Sequence, residues 1–269
     1  MNERFGRTGY VSVVSTVIVT LIVLALIVGL PSPLSAAAPT RDVDTALVVA
    51  VDVSNSVDDA RYRLQLKGIA DALEDPGVIS AILNGPRSAI LFSIVAWSDR
   101  PEIALPWMMI SSADEARAVA QRVRRLPRYG GEFTCMARML RYVTDKLLPQ
   151  VPVNAFRTVV DVSGDGKDNC NPDQPVAAIR DELAGYGTTI NGLPILSGSQ
   201  KTTLEQWYTD NVKGGVGSFI LPANGFEDFG RAIRQKFVVE ITMGPVHRGP
   251  VGRQQALTTY APPIFQVSP

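Results

Sequence analysis

The chain has 269 residues, 46% hydrophobic and 19% charged, which excludes a disordered, collagen-like or multi-span membrane chain and fits one domain with appendages. Lys and Arg total 26, as do Asp and Glu, so the formal net charge is +0, no basic excess meets a phosphate backbone, and nucleic acid is not expected as a partner. The single histidine, His247, excludes most histidine triads and histidine-rich zinc sites, which leaves carboxylates and hydroxyls to carry any chemistry.

Arg4 and Arg7 precede an apolar run from about Val11 to Leu30 that closes on Pro31-Ser32-Pro33 and Leu34-Ser35-Ala36-Ala37-Ala38. This pattern predicts export. The run is roughly 20 residues, longer than the ~7–15 of a signal core and long enough to span a bilayer. Small residues at Ser35 and Ala37 offer a cleavage site, so residues 1–38 are read as a signal peptide or a membrane anchor. In either case the arginines keep the N-terminus cytoplasmic and place the rest in the periplasm or outside the cell, touching the membrane only through this segment if it is uncleaved.

The following region alternates short β-branched runs with longer amphipathic ones, which predicts an α/β domain with a mainly parallel sheet. Ala46 to Val51 is the first buried strand, and a helix follows over about Asp58 to Leu73, with Tyr62, Leu66, Ile69 and Leu73 on one face. Ser88 to Trp97 is the second strand, and Ile103 to Trp107 is a short edge strand that tolerates Pro106. Helices are expected over Ala113 to Arg125 and from near Thr134, then a strand over Thr158 to Val162. A helix near Pro175 to Ala184, a strand Thr188 to Leu193, a helix near Thr202 to Asn211, a strand at Ser218-Phe219-Ile220 and a helix near Phe226 to Val238 complete the order. Residues 244–269, rich in Pro, Gly, Gln and Thr and containing His247, read as a tail.

Ligands of such sheets bind beyond the carboxyl ends of the strands. The first strand runs into Asp52-Val53-Ser54-Asn55-Ser56, where alternation turns Asp52, Ser54 and Ser56 to one side. The Thr158 strand runs into Ser163-Gly164-Asp165-Gly166, which holds a second carboxylate at the same edge, and Gly130-Gly131-Glu132-Phe133-Thr134 brings a hydroxyl to a helix start. Two carboxylates and three hydroxyls suit Mg²⁺, with a coordination position left for a water or a partner's oxygen. Asp52, Ser54 or Thr134 taken alone could equally cap a helix.

Asp52-x-Ser54-x-Ser56, Thr134 after a glycine pair, and Asp165-Gly166, in that order, resemble the metal-ion-dependent adhesion site (MIDAS) of von Willebrand factor type A (VWA) domains. The resemblance covers about Val43 to Thr242. Thr189 to Ile195 together with Gly214 to Phe219 is similar to an exported bacterial branch of undefined function. It implies a three-layer Rossmann-like fold with a mainly parallel sheet, one short antiparallel edge strand and helices on both faces, over a domain of residues 39–243. It also implies that Ser54, Ser56 and Thr134 coordinate the metal by hydroxyls, with Asp52 and Asp165 acting directly or through water. Mg²⁺ is the expected ion, with Mn²⁺ or Ca²⁺ as alternatives. The family offers its open metal position to a carboxylate of a protein partner, so the implied role is adhesion or scaffolding and not enzymatic. Cys135 follows Thr134 and Cys170 lies shortly after Asp165, which places both beside this edge and predicts a disulfide in an exported chain.

Glu132 departs from the small or polar residue expected beside the metal and is read as facing solvent. Asp52 before Gly164-Asp165-Gly166-Lys167-Asp168 also looks like a haloacid dehalogenase-like phosphatase, with Asp52 as nucleophile, but Ser54 stands where that family places its general acid. Asp168 to Gln174 locally resembles a calcium-binding thrombospondin type 3 repeat and occurs once, which favours an ordinary turn over a minor Ca²⁺ site at Asp168 and Asp173. Trp97, Trp107 and Trp207 are read as packing residues, and Arg122, Arg124 and Arg125 as a solvated helix face.

Overall fold

The structure, a computed structural model, describes residues 42–170 and 173–242; the predicted signal or anchor (1–38) and the predicted tail (244–269), with His247, lie outside the described residues. At the centre of a five-stranded sheet of order β3-β2-β1-β4-β5 runs β1, Val43–Asp52. It pairs in parallel with β2 (Ile90–Trp97) on one side and β4 (Ala155–Gly164) on the other, and β5 (Thr188–Pro194) continues the parallel run. The edge strand β3, Glu102–Ile110, pairs antiparallel with β2.

Both faces of β1 are buried, which is why its sequence is a continuous apolar run without alternation. Leu47, Val49 and Val51 pack into one core with α1 (Asp59–Glu74), α2 (Pro76–Leu83), α3 (Ala113–Val123) and α7 (Phe229–Thr242). Val48 and Ala50 pack into the other, with α4 (Met136–Tyr142), α5 (Val176–Gly185) and α6 (Leu204–Asn211). Helix, sheet and helix form the expected three layers. Trp97 is fully buried in the second core, Trp107 donates from Nε1 to the Leu147 carbonyl at 3.2 Å, and Trp207 meets Tyr208 edge-on, so the tryptophans serve packing.

Three elements differ from expectation. The edge strand is nine residues rather than five, because the ladder shifts register at Ser93, where Pro106 and Trp107 together oppose one residue and the missing proline N–H costs no rung. Helix α2 has no counterpart in the sequence reading: Asp75 Oδ1 accepts the N–H groups of Gly77 and Val78, and Pro76 opens the helix. Ser218-Phe219-Ile220 does not form a strand. The segment beside β5 makes only isolated bridges, Ile190 with Gly214, Gly192 with Ile220 and Ile195 with Ala223, because glycines with positive φ at Gly215 and Gly217 turn the chain away between contacts.

The face that receives α7 carries buried charge. Lys236 Nζ lies 3.3 Å from Asp161 Oδ1 of β4 and 3.2 Å from Glu240 Oε1, with all three side chains fully buried. Asn191 of β5 donates to Glu240 Oε1 at 2.7 Å. Burial pushes the Asp161 carboxyl up to about 8; Glu240 adds to the rise and Lys236 opposes it.

Candidate metal centre

Asp52 is the last residue of β1 and is fully buried. Its Oδ1 accepts the Ser54 N–H at 2.8 Å, an Asx turn that swings the chain off the sheet and sets the Ser54 and Ser56 hydroxyls 3.2 Å apart. Gln65 of α1 supports this exit from beneath, donating from Nε2 to the Asp52 carbonyl at 3.1 Å, while Ser163 of β4 donates to the Ala50 carbonyl at 3.1 Å. Ser56 then donates to Asp165 Oδ1 at 2.5 Å, across 109 residues of sequence. Four of the five predicted residues, Asp52, Ser54, Ser56 and Asp165, thus form one hydrogen-bonded chain. Ser197, in the turn after β5, adds a bond to Asp165 Oδ2 at 3.3 Å. Gly164 keeps the two carboxylates close, since a Cβ there would stand 2.8 Å from Asp52 Oδ2 and 2.9 Å from the Tyr208 hydroxyl.

The fifth predicted residue, Thr134, is buried just before α4, with its hydroxyl against Gly166, where a Cβ would lie 3.5 Å from Oγ1. Its N–H donates to Asn169 Oδ1 at 2.8 Å and its carbonyl accepts the Asn169 N–H at 3.0 Å. Asp168 Oδ2 accepts the Ala137 N–H at 3.0 Å in the first turn of α4, and Oδ1 accepts the Cys170 N–H at 3.3 Å. Cys135 and Cys170 form the expected disulfide, with Cα atoms 4.9 Å apart. The Asp168 to Cys170 turn is therefore a cap and clasp for the Thr134 loop, work that occupies both oxygens of the carboxylate weighed as a calcium ligand.

Two residues that the sequence reading missed hold the glycine loop in place. Arg128 donates from Nη2 to the carbonyls of Val57 (2.5 Å), Val53 (3.3 Å) and Ser54 (3.4 Å), so that one guanidinium nitrogen ties down the Val53 to Val57 turn. Asp99, just after β2, accepts the Glu132 N–H at 2.8 Å. Desolvation raises the Asp99 carboxyl, but N–H groups of its own backbone, Glu132 and Phe133 outweigh it and hold the group below its ordinary range. Gly131 lies so close to Ser98 and Asp99 that no side chain fits there: a Cβ would stand 2.3 Å from Ser98 Oγ. Glu132 is exposed, as expected. Asp99 follows an apolar strand, two residues beyond Trp97, the residue level with Asp52 in the ladder, and that placement was its one signal; Arg128 carried none.

This arrangement has the chemistry of a hard-cation site. Asp52 Oδ2 is buried without a hydrogen-bond partner. Burial pushes the Asp52 carboxyl up to about 7; Ser54 pulls against that through its hydroxyl and N–H, and the Asp165 charge adds to it. Two neighbouring carboxylates, one of them dry, would be relieved by a divalent ion, and the Ser54 and Ser56 hydroxyls lie beside them to share its shell. Among the described residues no group of three or more Asp, Glu, His or Cys gathers as a metal cluster, and here hydroxyls take the place of further carboxylates.

Solved structures share the architecture. Proximal thread matrix protein 1 from the mussel byssus matches with a TM-score of 0.55 at 18% identity, over 76% of this chain and 49% of that one. A structure of the same protein with a zinc-occupied MIDAS motif matches with a TM-score of 0.55 at 19% identity, over 76% and 49%. A von Willebrand factor type A protein from Catenulispora acidiphila gives 0.53 at 17%, over 74% and 43%. The chain spans less than half the length of each, and at these identities the likeness carries the fold alone. No curated protein matches the chain by sequence. Residues 42–245 match the family described as "Protein of unknown function (DUF1194)", and the chain belongs to that family, with the fold of a VWA domain.

Proposed function

We propose that the chain is an exported, non-enzymatic binding module that holds a divalent cation, Mg²⁺ first, at Asp52, Ser54, Ser56, Thr134 and Asp165, and offers it to an acidic side chain of a protein partner. The partnerless buried Oδ2 of Asp52 carries this reading. When bound, the cation supplies an open coordination position for the partner's carboxylate. Asp52 and Asp165 supply the charge that retains it, and Ser54, Ser56 and Thr134 orient their hydroxyls from two anchored turns. Ser56 is exposed while Asp52, Ser54 and Thr134 are buried, so the donor set opens to solvent on one side. Zinc at the MIDAS motif of the mussel protein supports a divalent ion on this fold. The Cys135 to Cys170 disulfide supports an oxidising compartment and hence export through residues 1–38. The phosphatase alternative has no such support: Asp52 is fully buried, whereas a nucleophile has to meet its phosphate in line.

Thermal melting of the full chain in chelator, then in millimolar Mg²⁺, Mn²⁺ or Ca²⁺, tests the site. An ion present at about 100 times its Kd adds about 2.7 kcal/mol to the native state, so the melting temperature should rise, and Asp52→Ala should abolish the rise. No rise with any of the three ions would remove the proposal's mechanism. Arg128→Ala should weaken the metal about 10–100-fold, as loss of a supporting group around a metal site does, with Arg128→Lys falling between because it keeps a cationic N–H donor on a stem of different length and without the planar guanidinium. Calorimetric titration of each variant measures this.

A further inference from the structure

Six large hydrophobic side chains are exposed among the described residues, and two of them, Tyr129 (63%) and Phe133 (46%), share the short loop that ends on Thr134. The loop is held on both flanks. Arg128 anchors its start to the carbonyls of the Asp52 to Ser56 turn, and the Gly131 N–H reaches the Val53 carbonyl at 3.4 Å. On the other flank Asp99 takes the Glu132 N–H, while its own carbonyl accepts Arg138 Nη1 at 2.7 Å. Two aromatic rings are thus displayed to solvent on a fixed backbone, one of them bonded directly to a residue that contributes a site hydroxyl. Aromatic side chains lose little conformational freedom on contact and dominate the energetics of small interfaces.

We infer that this loop is the specificity element of the edge, and that the partner it selects presents a single carboxylate flanked by aromatic or aliphatic side chains. The inference rests on the metal-centre reading above, which fixes where the carboxylate goes. Charge on the rim supports it: the Arg100 side chain is 94% exposed and Arg138 is exposed, which favours an acidic partner. Glu132, exposed between the two rings, works against a run of acids and so favours one carboxylate with apolar neighbours over a polyacidic segment.

An array of immobilised synthetic peptides tests this, each with one central Glu or Asp and systematically varied neighbours, beside polyacidic controls. The full chain is applied in Mg²⁺ and in chelator as wild type, as the double variant Tyr129→Ser/Phe133→Ser and as Asp52→Ala, and the Mg²⁺-dependent melting shift of each reports the metal edge separately. Mg²⁺-dependent capture should favour aromatic or aliphatic neighbours by about tenfold over polar ones, a preference the double variant loses and a capture that Asp52→Ala abolishes. A wild type that shows the melting shift but binds all acidic peptides alike, prefers the polyacidic ones, captures none, or keeps its preference in the double variant overturns the inference and leaves the metal centre standing. A wild type with no melting shift in any ion overturns the metal centre, and this inference with it.

Discussion

Lys236→Ala is expected to cost about 3–5 kcal/mol, because it leaves two buried carboxylates without the ammonium between them. Asp161 and Glu240 are fully buried, Lys236 Nζ reaches both within 3.3 Å, and it also lies 4.3 Å over the Phe219 ring. Arg157 also bears on this cluster: its Nη1 donates to the Glu240 backbone carbonyl at 3.1 Å, and desolvation pulls its guanidinium below its ordinary range while the Glu240 charge supports the group against that fall. The cost should depend on pH, and its sign follows from Asp161. Burial holds its folded pKa at about 8, above an unfolded value of about 3.9, so the native state binds the extra proton. That stability is fully present below the unfolded value and is lost as pH rises through the folded one. Without Lys236 the charged form of Asp161 is disfavoured further, so the variant should lose more at about pH 8.5 than at about pH 5.5. Urea denaturation of wild type and variant at both values, with an unchanged slope, checks this. Asp52, also raised by burial, to about 7, adds a slope of the same sign in both proteins, so the difference between them isolates the Lys236 cluster.

The β1 to Asp52 stretch and its two serines were legible because every requirement is local: an apolar run buried on both faces, then alternating oxygens where the chain leaves the sheet. Asp165 was legible for the same reason at the end of β4. Arg128 was not, since its value is one guanidinium nitrogen serving three carbonyls of a turn some seventy residues earlier, which only the folded chain brings within reach. Nor was Asp161, which stands inside an apolar strand run and whose counter-charge arrives 75 positions later from α7. Helix α2 shows the opposite failure. Its Asp75-Pro76 start was present in the sequence, but eight residues give too few turns for periodicity to register. At Ser218-Phe219-Ile220 the β-branched and aromatic content suggested a strand, and the surrounding glycines decided the geometry instead.

Replacing Cys135 and Cys170 together by serine should lower stability by about 4 kcal/mol in the chain-entropy account, since their bridge closes a loop of 35 residues' separation. The same double variant separates two roles the disulfide could have at the metal edge. If it were the sole tie between the Thr134 and Asp165 turns, its loss would let the Thr134 hydroxyl drift and would weaken metal as severely as loss of a ligand. Three hydrogen bonds remain across the same junction, however: Thr134 N–H to Asn169 Oδ1, Asn169 N–H to the Thr134 carbonyl, and Ala137 N–H to Asp168 Oδ2. With these intact the folded variant should keep its Mg²⁺ Kd within about tenfold of wild type, while its melting temperature falls sharply. Melting in the absence of metal, paired with Mg²⁺ titration well below the variant's transition, reads the two effects independently. Adding Asn169→Ala and Asp168→Ala to the cysteine variant removes the two side-chain bonds of the remaining three, and only then should metal affinity drop by more than tenfold, to about the loss expected for Arg128→Ala.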